Sequence, residues 1–219
     1  MRYLICLIAL FYLALPAGNA RAKTARWNIS LHTGDLLFCS TTSGELSKAI
    51  DQATQTVNKT HFDHVGIVEL AGGSVWVLHA APKKGVSREP IESFLSTGEE
   101  PVNVTAYRLR NQYSKAIPAA IQNAGALLGQ SYNFSYRMNN SGYYCSEYIY
   151  EIFKADSIFT LNPMTFKDPE NGEFLPGWVE YYKKLKMDVP EGEPGCNPNG
   201  LSSSGKLDRI GVLSLNIDN

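Results

Sequence analysis

His64-Val-Gly-Ile-Val68 and Tyr144-Cys145-Ser-Glu-Tyr148 decide the fold of this 219-residue chain. The first stretch places a histidine at the start of an apolar run that is typical of a buried strand. The second places a cysteine directly before Ser146–Phe153, whose sequence is typical of the first turns of a helix. A thiol at a helix N-terminus beside an imidazole is a common way to build a reactive thiolate. The two stretches therefore predict a nucleophile and its base.

The residues that follow His64 predict a β-hairpin. Two β-rich runs, 65–70 and 75–79, lie on either side of a turn at Gly72-Gly73. This register places His79 within one pleat of direct opposition to His64, on the same face of the sheet. A slip of one residue would move the two histidines to opposite faces. The hairpin therefore predicts that the two imidazole rings come within hydrogen-bond reach.

The other sequence patterns alternate between short strands and helices. They predict strands at 34–38, 102–109 and 210–215 and helices at 45–54, 114–128 and 178–185. Antiparallel strands interleaved with helices predict an α+β fold in which a sheet packs against helices. A net charge of −1 gives no electrostatic reason to expect a nucleic-acid partner.

The N-terminal residues predict export. Met1-Arg-Tyr is a short basic start, Leu4–Leu15 is almost wholly apolar, and Ala20 and Ala22 form an A-x-A cleavage site. This three-part layout is typical of a secretory signal peptide. The apolar run is also too short to span a bilayer comfortably, which argues against a transmembrane helix. We therefore expect a signal peptide at 1–22, a single domain at 23–219, and a periplasmic or extracellular location.

The cysteine count supports a free thiol. Removal of the signal peptide takes Cys6 with it and leaves Cys39, Cys145 and Cys196. An odd number of cysteines in an exported protein indicates at least one unpaired thiol, which is a candidate nucleophile. The sequence leaves open whether Cys39 and Cys196 form a disulfide.

Five motifs occur in an order that resembles a known family: Gly34-Asp-Leu-Leu-Phe38, His64-Val-Gly-Ile-Val68, Trp76-Val-Leu-His-Ala80, Tyr132-Asn-Phe-Ser-Tyr136 and Tyr144-Cys-Ser-Glu-Tyr148. Together they resemble the circularly permuted papain-like cysteine hydrolases of the NlpC superfamily, and in particular the YiiX-like branch. The histidine precedes the cysteine here, whereas the papain order is the reverse. The resemblance implies the permuted papain-like fold.

The resemblance also implies roles for individual residues. It implies that Cys145 is the nucleophile, that His64 is the general base, and that His79 is the third, orienting residue. The YiiX-like branch commonly has glutamate at that third position, so histidine is a departure. Glu69 is the rival, but an odd spacing from His64 directs it to the opposite face of the strand. Tyr132 matches a family tyrosine near the substrate pocket, and the backbone N–H of Cys145 is the expected oxyanion donor.

These roles imply an exported cysteine hydrolase that cleaves an amide or ester bond through a Cys-His-His site. Export favours a cell-wall peptide or an envelope amide as substrate, and an association with the cell envelope. A lipid-handling acyltransferase or amidase and a non-catalytic binding module are the alternatives. No cofactor is expected, and no metal site, because the cluster His61, Asp63 and His64 has no second ligand group at a matching spacing. The sequence leaves open whether residues 162–200 form a lid.

Overall fold

An antiparallel sheet of six strands forms the centre of the protein. The computed structural model describes residues 27–40, 45–56, 58–96, 103–138 and 140–214. The spatial order of the six strands is β4-β3-β2-β1-β5-β8, and β6 and β7 form a separate small pair. The strands in chain order are β1 (Leu36–Ser40), β2 (His64–Ala71), β3 (Ser74–Ala81), β4 (Gly85–Pro90), β5 (Asn103–Leu109), β6 (Asn162–Pro163), β7 (Pro194–Gly195) and β8 (Leu207–Val212).

The helices lie between these strands in the chain and confirm the α+β class. None of the helices within the described ranges is long and apolar enough to cross a membrane. Short 3-10 helices at Asn111–Ala116 and Lys154–Asp156 precede α3 and follow α4. The helices are α1 (Glu45–Ala53), α2 (Ile91–Leu95), α3 (Ile117–Ala126), α4 (Cys145–Ile152), α5 (Pro176–Leu185) and α6 (Pro198–Ser202).

The two faces of the sheet bury different apolar clusters, because side chains alternate along a strand. Val65 and Ile67 of β2 belong to the cluster that packs against α4. Val68 and Val77 belong to the opposite cluster, which includes Phe94 of α2. A third cluster joins α1 to the segment that carries α5; its buried members are Ala49, Phe166, Leu175, Trp178 and Tyr182.

The predicted hairpin is present in the predicted register. Strands β2 and β3 pair antiparallel, from Ile67 opposite Leu78 to Ala71 opposite Ser74. Gly72 and Gly73 form the turn with φ values of 58° and 71°, which glycine adopts without steric cost. This register extends to place Gly66 opposite His79, so His64 and His79 share one face of the sheet.

The sheet continues beyond the part that the sequence analysis predicted. A second hairpin leads from β3 into β4 and places Ser87 opposite His79. Gly85 permits the turn with a φ of 66°. Helix α6 lies between β7 and β8, and the last strand begins at Leu207 rather than at the predicted residue 210. The predicted signal peptide at 1–22 lies outside the described residues.

Candidate active site

Helix α4 carries Cys145 at its first position. The helix begins here because the Glu147 carboxylate folds back and accepts a hydrogen bond from the Tyr144 backbone N–H at 3.2 Å. Asn133 donates a second hydrogen bond to the same carboxylate at 3.0 Å. Burial raises the pKa of Glu147 to about 7, although both hydrogen bonds oppose the rise. Glu147 therefore caps the helix that presents the thiol.

The Cys145 sulfur lies against the start of β2. The thiol donates to the Asp63 carbonyl oxygen at 3.9 Å. Backbone N–H groups of Cys145, Ser146 and Val65 lie near the sulfur and favour its anionic form. Burial outweighs them and, with the negative charge of Asp63, raises the pKa of the thiol to about 12. The resting site therefore holds a neutral thiol and not the thiolate that a helix N-terminus alone predicts.

His64 and His79 are in direct contact. The Nε2 atom of His64 lies 2.8 Å from the Nδ1 atom of His79. Phe94 packs against both rings, with centroid distances of 5.7 Å to His64 and 5.0 Å to His79. Burial, and secondarily His79, lower the pKa of His64 to about 3, so its ring is neutral at neutral pH. A neutral imidazole is the form that can accept a proton.

The thiol approaches the backbone of β2 from the α4 side, whereas the His64 ring lies on the Phe94 side. Asp63 and Val65, whose backbone groups contact the sulfur, are the two chain neighbours of His64. No hydrogen bond joins the sulfur to either histidine ring, all three residues being described. Catalytic contacts are often long in unliganded sites and tighten with substrate. Nε2 is the nitrogen of His64 that contacts His79.

A carboxylate that the sequence analysis did not identify lies behind His79. The Oε1 atom of Glu89 is 3.4 Å from Nε2 of His79. The distance is that of an ion pair, but the geometry does not meet that of a hydrogen bond. Lys84 and Ser87 contact the same oxygen at 2.9 Å and 3.1 Å. The second hairpin could have predicted this neighbour. Because His79 lies opposite Ser87, Glu89 is a diagonal neighbour of His79 on the same face of the sheet.

Glu69, the rival third residue, points away from the histidines as expected. It lies on the same face as Val65 and Ile67, opposite to the face of His64. Its carboxylate accepts a hydrogen bond from Arg88 Nε at 2.6 Å. Glu69 therefore stabilises the α4 face of the sheet and has no contact with the His64 ring.

A cavity of about 600 Å³ opens in front of Cys145. Tyr132 lines it, and Tyr136 forms a side-chain hydrogen bond with Tyr132. Met164 and Trp178 form part of its far wall, so the segment 162–200 encloses one side of the cavity. The lining is largely aromatic and aliphatic. Neither His64 nor His79 lines the cavity. Both rings lie on the other face of the sheet, behind the strand residues that the thiol contacts.

The three described cysteines are free and buried. Cys39 lies opposite His64 in the pairing of β1 with β2. Cys196 instead lines the cavity, where its sulfur is 3.8 Å from the Tyr144 hydroxyl. Cys39 and Cys196 are therefore not joined by a disulfide.

Possible metal ligands do not converge. Within the described ranges, no group of three or more His, Cys, Asp and Glu side chains is arranged to hold a metal ion. His61 instead contacts the Asp51 carboxylate through Nδ1 at 2.7 Å. His64 is directed to His79, so the cluster 61–64 does not form one ligand set.

Comparison with known proteins identifies the family. Residues 30–211 match the family model described as a permuted papain-like amidase enzyme, YaeF/YiiX, C92 family. A solved structure, described as that of the metalloprotein yiiX from Escherichia coli O157:H7, superposes with a TM-score of 0.64 at 22% identity. The superposition covers 82% of this chain and 96% of the yiiX chain, and it shows a shared fold. Among curated proteins, none matches the chain by sequence. The chain belongs to the YaeF/YiiX, or C92, family of permuted papain-like amidases.

Proposed function

We propose that the protein is an exported cysteine amidase in which Cys145 is the nucleophile, His64 the general base and His79 the residue that orients the base. The observation that carries this proposal is the 2.8 Å contact between the two imidazoles, directly behind the strand residues that the thiol contacts. A base held by a second polar ring, next to a thiol at a helix N-terminus, is the arrangement that cysteine hydrolases require.

The proposed reaction has two stages. The Cys145 sulfur attacks the carbonyl carbon of the amide while its proton passes to Nδ1 of His64. The oxyanion that forms accepts a hydrogen bond from the Cys145 backbone N–H, and the C–N bond then breaks as His64 protonates the amine. Water, deprotonated by His64, attacks the thioester and releases the acid and the thiol. Because burial raises the thiol pKa, proton transfer accompanies the attack instead of preceding it.

Mass spectrometry of the intact protein tests this proposal. We expect a thioester adduct after a panel of activated acyl amides and esters is added to the wild-type protein. Cys145→Ala should give no adduct, whereas Cys196→Ser, the matched change at the other cavity thiol, should retain it. Iodoacetamide should also modify Cys145 faster than Cys39 or Cys196, because Cys145 lines the cavity at the first position of helix α4. If neither difference is found, the chain is a non-catalytic binding module that has kept the fold.

The lining of the cavity favours an amphipathic amide over a purely polar one. Aromatic residues surround the space in front of the thiol, and the charged side chains among them are Asp63 and Lys206. Burying the apolar part of a ligand here gains roughly 25 cal/mol per Å² of area removed from water. An envelope amide with an acyl chain therefore fits better than a charged cell-wall peptide, and a lipid-handling amidase or acyltransferase is the second candidate.

Competition between the two substrate classes distinguishes these candidates. We expect N-acyl amides of increasing chain length to acylate Cys145 with rising kcat/KM until the cavity is filled. Trp178→Ala, which opens the far wall, should shift the preferred length upward. A faster reaction with short charged peptides than with any acyl amide would instead identify a peptide substrate. Trapping the thioester with added amine or alcohol separates acyl transfer from hydrolysis.

A further inference from the structure

The contact between His64 and His79 admits two arrangements of hydrogen atoms. Since both rings are neutral, a single proton lies between Nε2 of His64 and Nδ1 of His79. If it is carried by His64, then Nδ1 of His64 is bare and can accept the thiol proton. If it is carried by His79, then His64 holds its own proton on Nδ1 and cannot act as base. The two imidazoles alone do not select between these forms.

Glu89 favours one of these two forms. Its carboxylate faces Nε2 of His79 at 3.4 Å, and Nε2 has no other hydrogen-bond partner. A buried anion next to this nitrogen favours a proton on Nε2. A neutral His79 that carries its proton on Nε2 must leave Nδ1 bare, so that Nδ1 accepts the hydrogen bond from His64.

We propose that Glu89 is a positioning residue that acts through His79 to hold His64 in the tautomer with Nδ1 free. The hydrogens then point from the Nε2–H of His79 to the Glu89 carboxylate and from the Nε2–H of His64 to Nδ1 of His79, and Nδ1 of His64 is left free to accept the proton of the Cys145 thiol. This inference rests on the proposed role of Cys145. Glu89 lies on the next strand, β4, on the side of β3 away from His64.

The surroundings of Glu89 keep it ionised. Burial alone would raise the pKa of the carboxyl, but the contacts with Lys84, His79 and Ser87 together lower it. Lys84 is more than half exposed, whereas the Glu89 side chain is 7% exposed. The carboxylate is therefore a fixed charge that faces the His79 ring, and Lys84 neutralises its solvent side.

NMR of the imidazole nitrogens tests the inference without a substrate. Protein labelled with ¹⁵N-histidine, compared at pH 7.5 as wild type, Glu89→Gln and Glu89→Asp, reports which nitrogen of each ring carries a proton. We expect both His64 and His79 to be protonated on Nε2 in the wild type and in Glu89→Asp. Glu89→Gln should show a mixture of tautomers at both rings. Glu151→Gln, at a carboxylate on α4 remote from the histidines, is the matched control and should resemble the wild type.

Iodoacetamide modification of Cys145 supplies the second readout. We expect Glu89→Gln to lower the rate by roughly 10- to 100-fold and Glu89→Asp to restore most of it. Unchanged tautomers in Glu89→Gln, or a wild-type His79 protonated on Nδ1, would overturn the inference. The two readouts also separate it from the proposed function. If Cys145 is not a nucleophile, the tautomer shift persists while acyl transfer is absent from every variant.

Discussion

Nε2 of His64 meets Nδ1 of His79 at 2.8 Å along a diagonal of the β2–β3 pairing, although the two residues are 15 positions apart in the chain. The contact depends on the hairpin register, because a shift of one residue would place one ring on the α4 face. It also occupies Nε2 of His64, so that Nδ1 is the nitrogen that the proposed base would use. The orienting role of His79 is therefore open to direct test.

Replacing His79 by leucine should lower the rate of Cys145 acylation by about 100-fold or more, because His64 then loses its hydrogen-bonded partner. His79→Asn, whose side chain retains a polar atom near the Nδ1 position, should lose less. Acylation rates by stopped-flow or mass spectrometry provide the measurement. His61→Ala, at an exposed histidine paired with Asp51, is the control and should react as the wild type. Equal rates for His79→Leu and His61→Ala would exclude His79 from the site.

Gly66 lies where β2 passes closest to the histidine pair. A Cβ atom here would stand 2.6 Å from Val77 Cγ1 and 3.2 Å from the His79 Cβ. Gly66→Ala should therefore lower the free energy of unfolding by about 1–3 kcal/mol and displace His79. Gly125→Ala, in α3 with open space around the new methyl group, should instead raise it by about 0.5–1 kcal/mol. Urea denaturation of both variants checks the contrast. An unchanged free energy of unfolding in Gly66→Ala would show that the packing around Gly66 tolerates a methyl group.

Asp35 is buried and paired with Arg108. The guanidinium donates to its two oxygens at 2.6 Å and 2.8 Å, and the His32 backbone N–H donates at 2.7 Å. Asp35→Asn should destabilise the protein by about 2–3 kcal/mol, since it leaves a partly buried cation without its counterion. Asp208→Asn, in the exposed pair with Arg110, should change stability by less than about 1 kcal/mol. Similar denaturation midpoints for the two variants would contradict this assignment.

The raised pKa of Glu147 predicts a pH-dependent stability. Folding raises this pKa from 4.5 to about 7, so the folded state binds the proton more tightly than the unfolded state. The resulting stabilisation is complete below pH 4.5 and is lost as the pH rises through 7. Glu147→Gln should therefore gain stability relative to the wild type between pH 5 and 8. Urea denaturation across this range gives the difference, with Glu180→Gln, at an exposed carboxylate of α5, as control. A constant difference across the range would show that Glu147 titrates normally.

The sequence was sufficient to predict the hairpin and the position of Cys145 at the start of a helix. Gly72-Gly73 and the flanking β-rich runs determine the register, and the register alone brings His64 to His79. The apolar spacing after Cys145 likewise predicts α4. These are local patterns, in which the residues that interact are set by one turn or one helical repeat.

What the sequence did not show depends on long-range packing. Glu89 was missed because Gly85–Pro90 is short and carries charged residues, so that it pairs as a strand only because β3 is already in place. The neutral state of the Cys145 thiol could not be predicted either, since the helix N-terminus favours the anion. Burial, which reverses that preference, comes from elements distant in the chain.

The separation in sequence between His64 and Cys145 has a consequence for the order of events during synthesis. Asp63, the residue next to His64, contacts a thiol that lies 82 positions later in the chain. The β2–β3–β4 meander closes through short turns and can form while the nascent chain still lacks α4. Cys145 therefore reaches β2 only when α4 docks on the finished sheet, and an incomplete chain lacks the contact between the two.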